Sequence, residues 1–128
     1  MFLDTSVILC IIQREPGWEG QSRTLQAAEH LLISAATLQE LLIVAHCRNV
    51  LDSVETLLEV LDPDVVPVDA PLARRALLIF QRFGKGQGHG ARLNFGDCFA
   101  AALASERKLP LAFQGDDFAA AGYSGSRG

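Results

Sequence analysis

Three strongly apolar segments of this chain each contain a single formally charged side chain, and in every case it is a carboxylate. These segments and their acids are residues 1–13 with Asp4, residues 31–47 with Glu40, and residues 93–105 with Asp97. An ionised carboxylate in apolar surroundings is costly to desolvate, so it is normally paired with a cation or bound to a metal. Because these segments contain no Lys or Arg, a fold that gathers the three acids would favour a hard cation such as Mg²⁺ or Mn²⁺.

The size and composition of the chain predict one small domain over residues 1–128. Apolar residues make up 49% of the sequence and the mean hydropathy is +0.21, which is high for a monomer of this size. The excess either fills a dense core or leaves apolar surface for a partner, most simply a second copy of the chain. We expect the tail to fray from about residue 124.

Signals for secretion or membrane insertion are not expected in this sequence. The N-terminus lacks a basic region and carries an acid at position 4, which argues against a signal peptide. No apolar run reaches the roughly 18 residues that a membrane span needs. The chain has an odd number of cysteines, and none of them forms a C-x-x-C pair. We therefore predict that Cys10, Cys47 and Cys98 are reduced core residues of a cytoplasmic protein.

Basic residues are concentrated in one segment, although the net charge of the chain is −4. Residues 71–96 contain no acid, and their basic residues are Arg74, Arg75, Arg82, Lys85 and Arg92. This segment leads directly into Asp97, and a cationic strip beside an acidic metal pocket could hold a phosphate backbone. We therefore take Arg82, Lys85 and Arg92 as candidates for binding a nucleic-acid backbone, with an ordinary solvated helix face as the alternative.

Short apolar runs alternate with helical patterns along the chain, which predicts an α/β domain with a mainly parallel sheet. The predicted strands are residues 2–4, 31–33, 65–68 and 111–113. The predicted helices are residues 5–13, 21–30, 34–48, 52–61, 70–83 and 95–107. Thr5 or Ser6 is expected to cap the first helix, and Ser34 to cap the third.

Carboxylates follow the predicted strands at one edge of this sheet. Asp4 ends the first strand, and Asp116 and Asp117 follow the last one. Glu40 lies in the second turn of a helix that follows a strand, and Asp97 lies near a helix N-terminus, where negative charge is tolerated. Ligands collect at the carboxyl ends of parallel strands, so four chain segments can deliver acids to one site. Taken singly, each acid could instead be a cap, a turn former or a surface residue.

Several motifs in combination resemble the PIN domain, and most closely the VapC-type toxins of bacterial toxin–antitoxin pairs. They are MFLDTSVILCIIQREPG, ISAATLQELLIV, RFGKGQGHGARLNFGDCFAAALA and LPLAFQGDDF. The likeness extends from residue 1 to about residue 121, with the motifs in the family's order. The family fold is a parallel β-sheet sandwiched by α-helices, which agrees with the predicted elements.

The resemblance implies an endoribonuclease that uses Mg²⁺ or Mn²⁺ and acts as the toxin of its pair. Asp4, Glu40 and Asp97 would form the central acidic triad. Asp4 and Asp97 would contact the metal directly, and Glu40 would bind the metal or position the attacking water.

The family often adds a fourth acid after the last strand. Many PIN domains carry Thr-x-Asp there, whereas this chain has Phe113 and Gly115 at the corresponding positions. Asp116 or Asp117 would then supply the fourth carboxylate and metal ligand, with a slight preference for Asp117. Two further polar residues, Ser6 and Asn94, would support the site by hydrogen bonding.

The resemblance also implies partners: an RNA substrate, a cognate VapB-type antitoxin that binds at the acidic groove, and a second copy in a homodimer. An Arg from the antitoxin could enter the carboxylate cluster, because a guanidinium complements such a site. The alternative function is a non-catalytic metal-binding or partner-binding PIN-like module. The RNA target is left open by the sequence.

Overall fold

A four-stranded parallel sheet forms the centre of the computed structural model, which describes residues 1–123. The strands are β1 (Phe2–Leu3), β2 (Leu32–Ser34), β3 (Asp64–Val66) and β4 (Leu111–Ala112). Their order in the sheet is β3-β2-β1-β4, and all three pairings are parallel, with Phe2 opposite both Leu32 and Leu111. The predicted fraying from about residue 124 lies outside the described residues.

Helices connect the strands, as parallel pairing requires. The helices within residues 1–123 are α1 (Thr5–Ile12), α2 (Trp18–Ala27), α3 (Ala35–Cys47), α4 (Leu51–Leu61), α5 (Ala70–Phe83), α6 (Phe95–Arg107) and α7 (Asp117–Ala120). The predicted α/β class and parallel sheet are confirmed. One short helix, α7, had not been predicted, and α2 begins three residues earlier than expected, after a left-handed turn at Gly17.

Alternating side chains of the strands bury the two faces of the sheet. Phe2 and Leu32 pack with α5 and α6 in one apolar cluster, whereas Leu3 and Ile33 pack with α1, α3 and α4 in another. Successive strand residues point to opposite faces, so each short strand needs apolar residues at consecutive positions. The first polar residue after β1 therefore falls at the sheet edge, where Asp4 lies.

Of the two helix caps predicted after β1 and β2, one is confirmed and the other is wrong. Ser34 caps α3 as predicted, because its side chain accepts a hydrogen bond from the Ala36 N–H. The prediction of Thr5 or Ser6 as the cap of α1 is wrong, because Asp4 takes that position and accepts from the Ser6 N–H. The residue that ends the first strand therefore also starts the first helix.

All three cysteines are free, and their burial differs. Cys10 and Cys98 are buried as predicted, whereas Cys47 is exposed at the end of α3, so its assignment to the core is wrong. Among the described residues, no helix combines the length and the apolar character required to cross a bilayer.

Candidate active site

Asp4 is a buried carboxylate with one satisfied and one unsatisfied oxygen. Its side chain is 3% exposed, and Oδ2 accepts hydrogen bonds from the Ser6 N–H at 3.0 Å and from Ser6 Oγ at 2.6 Å. Oδ1 is buried and has no hydrogen-bond partner within residues 1–123. Burial raises the pKa of Asp4, the bonds from Ser6 oppose the rise, and the Glu40 carboxylate adds to it. An unsatisfied buried oxygen of this kind is costly unless a ligand binds it.

Asp97 is fixed at the N-terminus of α6 by a capping box. The Asn94 side chain accepts from the Asp97 N–H at 2.9 Å, and Asp97 Oδ2 accepts from the Asn94 N–H at 2.9 Å. The sequence NFGD encodes this local geometry, because a capping box needs an acceptor at the cap and an acid three residues later. Burial raises the pKa of Asp97 to about 7, and the carboxylates of Asp4, Glu40 and Asp117 add to the rise.

Glu40 reaches this cluster from the second turn of α3. Its carboxylate lies against the backbone of Gly96, in the first turn of α6. The partial positive charge of a helix N-terminus favours a carboxylate in that place. Asp97 and Glu40 thus come from different helices to the same end of α6.

The two acids after β4 differ in their relation to the cluster. Asp117 is the first residue of α7, and its charge contributes to the raised pKa of Asp97. Asp116 occupies the N-cap position of the same helix. Both are exposed, so the electrostatic contact favours Asp117 as the fourth acid without excluding Asp116.

Asp4, Glu40 and Asp97 line an open cleft with a volume of about 520 Å³. Its described lining residues are Asp4, Thr5, Ser6, Leu9, Glu15, Glu40, Val44, Arg48, Asn94, Asp97, Gln114 and Gly115. The structure therefore brings together the predicted Asp4, Glu40, Asp97, Ser6 and Asn94. Asp116 and Asp117 lie in the chain just beyond Gly115.

Four polar residues of the described cleft lining were not predicted as site residues: Thr5, Glu15, Arg48 and Gln114. Arg48 is the C-cap of α3, and its Nη1 donates to Gln13 Oε1 at 2.6 Å. The Gln114 N–H donates to Ser6 Oγ at 2.9 Å, which ties the segment after β4 to Asp4 through Ser6. No sequence pattern gives these pairings, since the partners lie 35 and 108 residues apart.

The acidic cleft is not lined by the basic residues predicted to bind the nucleic-acid backbone, Arg82, Lys85 and Arg92. Arg82 lies in a separate groove with Lys108 and Tyr123. Its guanidinium carbon is 4.9 Å from the centre of the Phe83 ring. Lys85 and Arg92 are exposed in the segment between α5 and α6. Within the described chain, none of these three predicted residues lines the acidic cleft.

The donor set fits a hydrated divalent ion rather than a closed protein cage. Across residues 1–123, no group of three or more His, Cys, Asp and Glu side chains is arranged to hold a metal ion. Mg²⁺ usually keeps several waters and is held by one or two carboxylates. The free Oδ1 of Asp4 and the electrostatic coupling of Asp4 to Asp97 match that requirement.

Comparison with known proteins identifies the family. The family model for the PIN domain matches residues 1–122. This chain belongs to the PIN-domain family. The family predicted from the sequence motifs is therefore confirmed.

Curated relatives of this PIN domain are VapC proteins. Ribonuclease VapC42 of Mycobacterium tuberculosis is 36% identical over 121 residues, which cover 92% of each chain. Ribonuclease VapC28 of the same species is 37% identical over 127 residues, covering 92% of this chain and 91% of that protein. A VapC ribonuclease of Rhizobium meliloti is 35% identical over 137 residues, covering 91% and 94%.

Solved structures show the same fold. Mycobacterium tuberculosis VapC20, described as a sarcin–ricin loop cleaving toxin, matches with a TM-score of 0.77 and 19% identity over 99% of this chain and 98% of that one. A chain of a toxin–antitoxin complex from Klebsiella pneumoniae matches with a TM-score of 0.63 and 18% identity, covering 86% and 82%. The predicted PIN-like fold class is therefore confirmed.

Proposed function

We propose that this PIN domain is an endoribonuclease that requires Mg²⁺ or Mn²⁺ and acts as the toxin of a toxin–antitoxin pair. One observation carries the proposal: the unsatisfied buried oxygen of Asp4 lies in the same open cleft as Asp97, whose pKa is raised to about 7. Clustered acids with perturbed pKa values in a cleft are typical of catalytic sites. The VapC relatives support RNA as the substrate, because they are named ribonucleases and match 92% of this chain.

The four acids would have different roles, set by their positions in the proposed site. Asp4 and Asp97 would hold the cation, and Glu40, at the N-terminus of α6, would hold it or orient the attacking water. Asp117 would serve as the fourth acid, close enough to influence Asp97. A bound cation would lower the pKa of a coordinated water and neutralise charge that builds up on the phosphate.

Polar residues around the acids would keep them in place. Ser6 donates its hydroxyl hydrogen to Asp4 and accepts from the Gln114 N–H, so it fixes the Asp4 carboxylate between β1 and the segment after β4. Asn94 fixes Asp97 through the capping box. Held in this way, the two carboxylates need little rearrangement when the cation binds.

Arg48 would bind the RNA backbone beside the acids. It is the one Lys or Arg among the described residues of the cleft lining, and Gln13 holds its guanidinium through a single nitrogen. The remaining N–H groups are suited to a phosphate, which Arg recognises through several donors. Arg82, Lys85 and Arg92 stay a prediction for phosphates outside the cleft.

The proposal extends to the partners and the compartment. A VapB-type antitoxin that covers the cleft would inhibit the enzyme, and an Arg of that partner would complement the acids. A homodimer would cover apolar side chains that α5 and α6 expose, among them Leu77, Leu78 and Phe95. We place the protein in the cytoplasm, where its three free cysteines would stay reduced.

Cleavage of total RNA and transfer RNA by antitoxin-free protein tests the function. We expect discrete products with Mg²⁺ or Mn²⁺, none with EDTA, and none from Asp4→Asn or Asp97→Asn, with circular dichroism showing that both variants are folded. Products that persist in EDTA or in both variants would refute the assigned site. Folded, metal-bound protein that never cleaves RNA would favour the non-catalytic binding module.

A further inference from the structure

Gly96, the second residue of α6, leaves room for the Glu40 carboxylate. A Cβ atom at this position would lie 1.9 Å from Oε2, 2.6 Å from Cδ and 3.0 Å from Oε1 of Glu40. Real Cβ atoms essentially never approach other heavy atoms to within 3.0 Å. Any side chain at this position would therefore have to displace the Glu40 carboxylate.

The backbone conformation does not explain why this residue is a glycine. Gly96 lies in the regular helix α6 (Phe95–Arg107), and it is not one of the described glycines with a positive φ. Glycine is a poor helix former, because it gives up more backbone freedom than any other residue. Close approach of another group is the usual reason to keep one in a helix, and here the approaching group is Glu40.

The added atom would move the carboxylate rather than the fold. The three nearest atoms that it would meet all belong to the carboxylate at the far end of the flexible Glu40 side chain. Glu40 has no salt bridge among the described residues, so no Lys or Arg side chain of residues 1–123 holds its carboxylate in the present position. Displacement of its carboxylate would separate it from Asp97 and from the N-terminus of α6.

We propose that Gly96 is a positioning residue, which by lacking a side chain lets Glu40 place its carboxylate beside Asp97 in the acidic cleft. The inference rests on the proposed function, since it assigns Gly96 to the positioning of a residue in that site. Gly96 itself would touch neither the cation nor the RNA.

Gly96→Ala is the test variant, and Gly90→Ala is its matched control. A Cβ at Gly90 would meet nothing within 4 Å, and Gly90 has no positive φ, so the control makes the same chemical change without the clash. We expect Gly96→Ala to lower kcat/KM for RNA by roughly 100-fold, the size of effect that a misplacement of about 1 Å can have. The thermal midpoint of the metal-free protein should stay at or above that of the wild type, because Ala favours the helix.

A double-mutant cycle with Glu40→Asp separates positioning from packing. The shorter Asp side chain withdraws the carboxylate from the space that the new methyl group fills. We therefore expect Gly96→Ala to change kcat/KM by less than about threefold in the Glu40→Asp background, which is a strong coupling between the two sites. A loss that stays near 100-fold in that background would overturn the proposal.

Two further outcomes also overturn it. The first is activity of Gly96→Ala equal to that of the wild type. The second is a clear fall in the thermal midpoint of Gly96→Ala in EDTA, which would make Gly96 a packing residue.

If the wild type cleaves no RNA, the proposed function fails, and Mn²⁺ titration calorimetry then tests the role of Gly96. We expect Gly96→Ala to bind Mn²⁺ at least about tenfold more weakly than wild type and Gly90→Ala. Equal Mn²⁺ affinity in the three proteins would refute the positioning role.

Discussion

Replacement of Asp97 by Asn should stabilise the metal-free protein at a pH of about 8, although it removes a site residue. Burial raises the pKa of Asp97 from its ordinary value of 3.8 to about 7, and the Asp4 carboxylate adds to the rise. The native state therefore holds the proton more tightly than the unfolded chain does. The stability linked to that proton is complete below about pH 4 and is lost as the pH rises through about 7.

The raised pKa sets the size of the effect. A pKa increase from 3.8 to about 7 corresponds to at most roughly 4 kcal/mol of unfolding free energy, at about 1.4 kcal/mol per pH unit. Asp97 is only partly buried, so solvent screening reduces this figure, and we expect about 1–2 kcal/mol. For a domain of this length, that is a rise of about 4–8 °C in Tm. The Asn side chain can still accept from the Asn94 N–H, so the helix cap survives.

Thermal unfolding in EDTA measures this prediction. Asp97→Asn should exceed the wild type in Tm at a pH of about 8 and should lose most of that advantage at about 5. Excess Mg²⁺ should reverse the order, because a ligand of the native state stabilises the wild type. Glu59→Gln, which removes an exposed acid on α4, is the control and should show neither effect. A variant no more stable than the wild type at the higher pH would refute the argument that Asp97 is held ionised at a cost.

Two further variants test the support of the acids and the contact with RNA. Ser6→Ala removes a donor to Asp4 and an acceptor for the Gln114 N–H. We therefore expect the free energy of unfolding, measured in urea, to fall by about 1–2 kcal/mol. We also expect the pH midpoint of activity to rise, because the hydrogen bonds from Ser6 lower the pKa of Asp4. An unchanged midpoint would contradict that role. Arg48→Gln should weaken RNA binding and reduce the slope of log affinity against log salt concentration by about 1, with little change in kcat. The matched variant Arg82→Gln should weaken RNA binding less. If a salt titration shows that Arg82→Gln weakens RNA binding more than Arg48→Gln does, the phosphate contact is made by the basic segment of residues 71–96 instead.

Local sequence determined the elements and the main acids of this protein. Consecutive apolar residues predicted the short buried strands, and the NFGD motif encodes a capping box that depends only on residues three apart. The isolation of Asp4, Glu40 and Asp97 in apolar segments predicted that each needs a cation, and their places after the predicted strands indicated one shared site. The structure brings all three to one cleft. Their catalytic roles stay a proposal. The α1 cap was misassigned because Asp4, Thr5 and Ser6 are all good caps in sequence.

Packing between distant segments decided the remaining features. Charge along the chain pointed to Arg82, Lys85 and Arg92. Arg48, the one Lys or Arg among the described residues of the cleft lining, lies outside that basic segment. Gly96 meets Glu40 only because α3 and α6 pack against each other. Spacing along a helix or strand fixes contacts between near neighbours, and it carries no information about which side chains two separate elements bring together. The sequence therefore determined which residues need a partner, and the tertiary structure decided which partner each one meets.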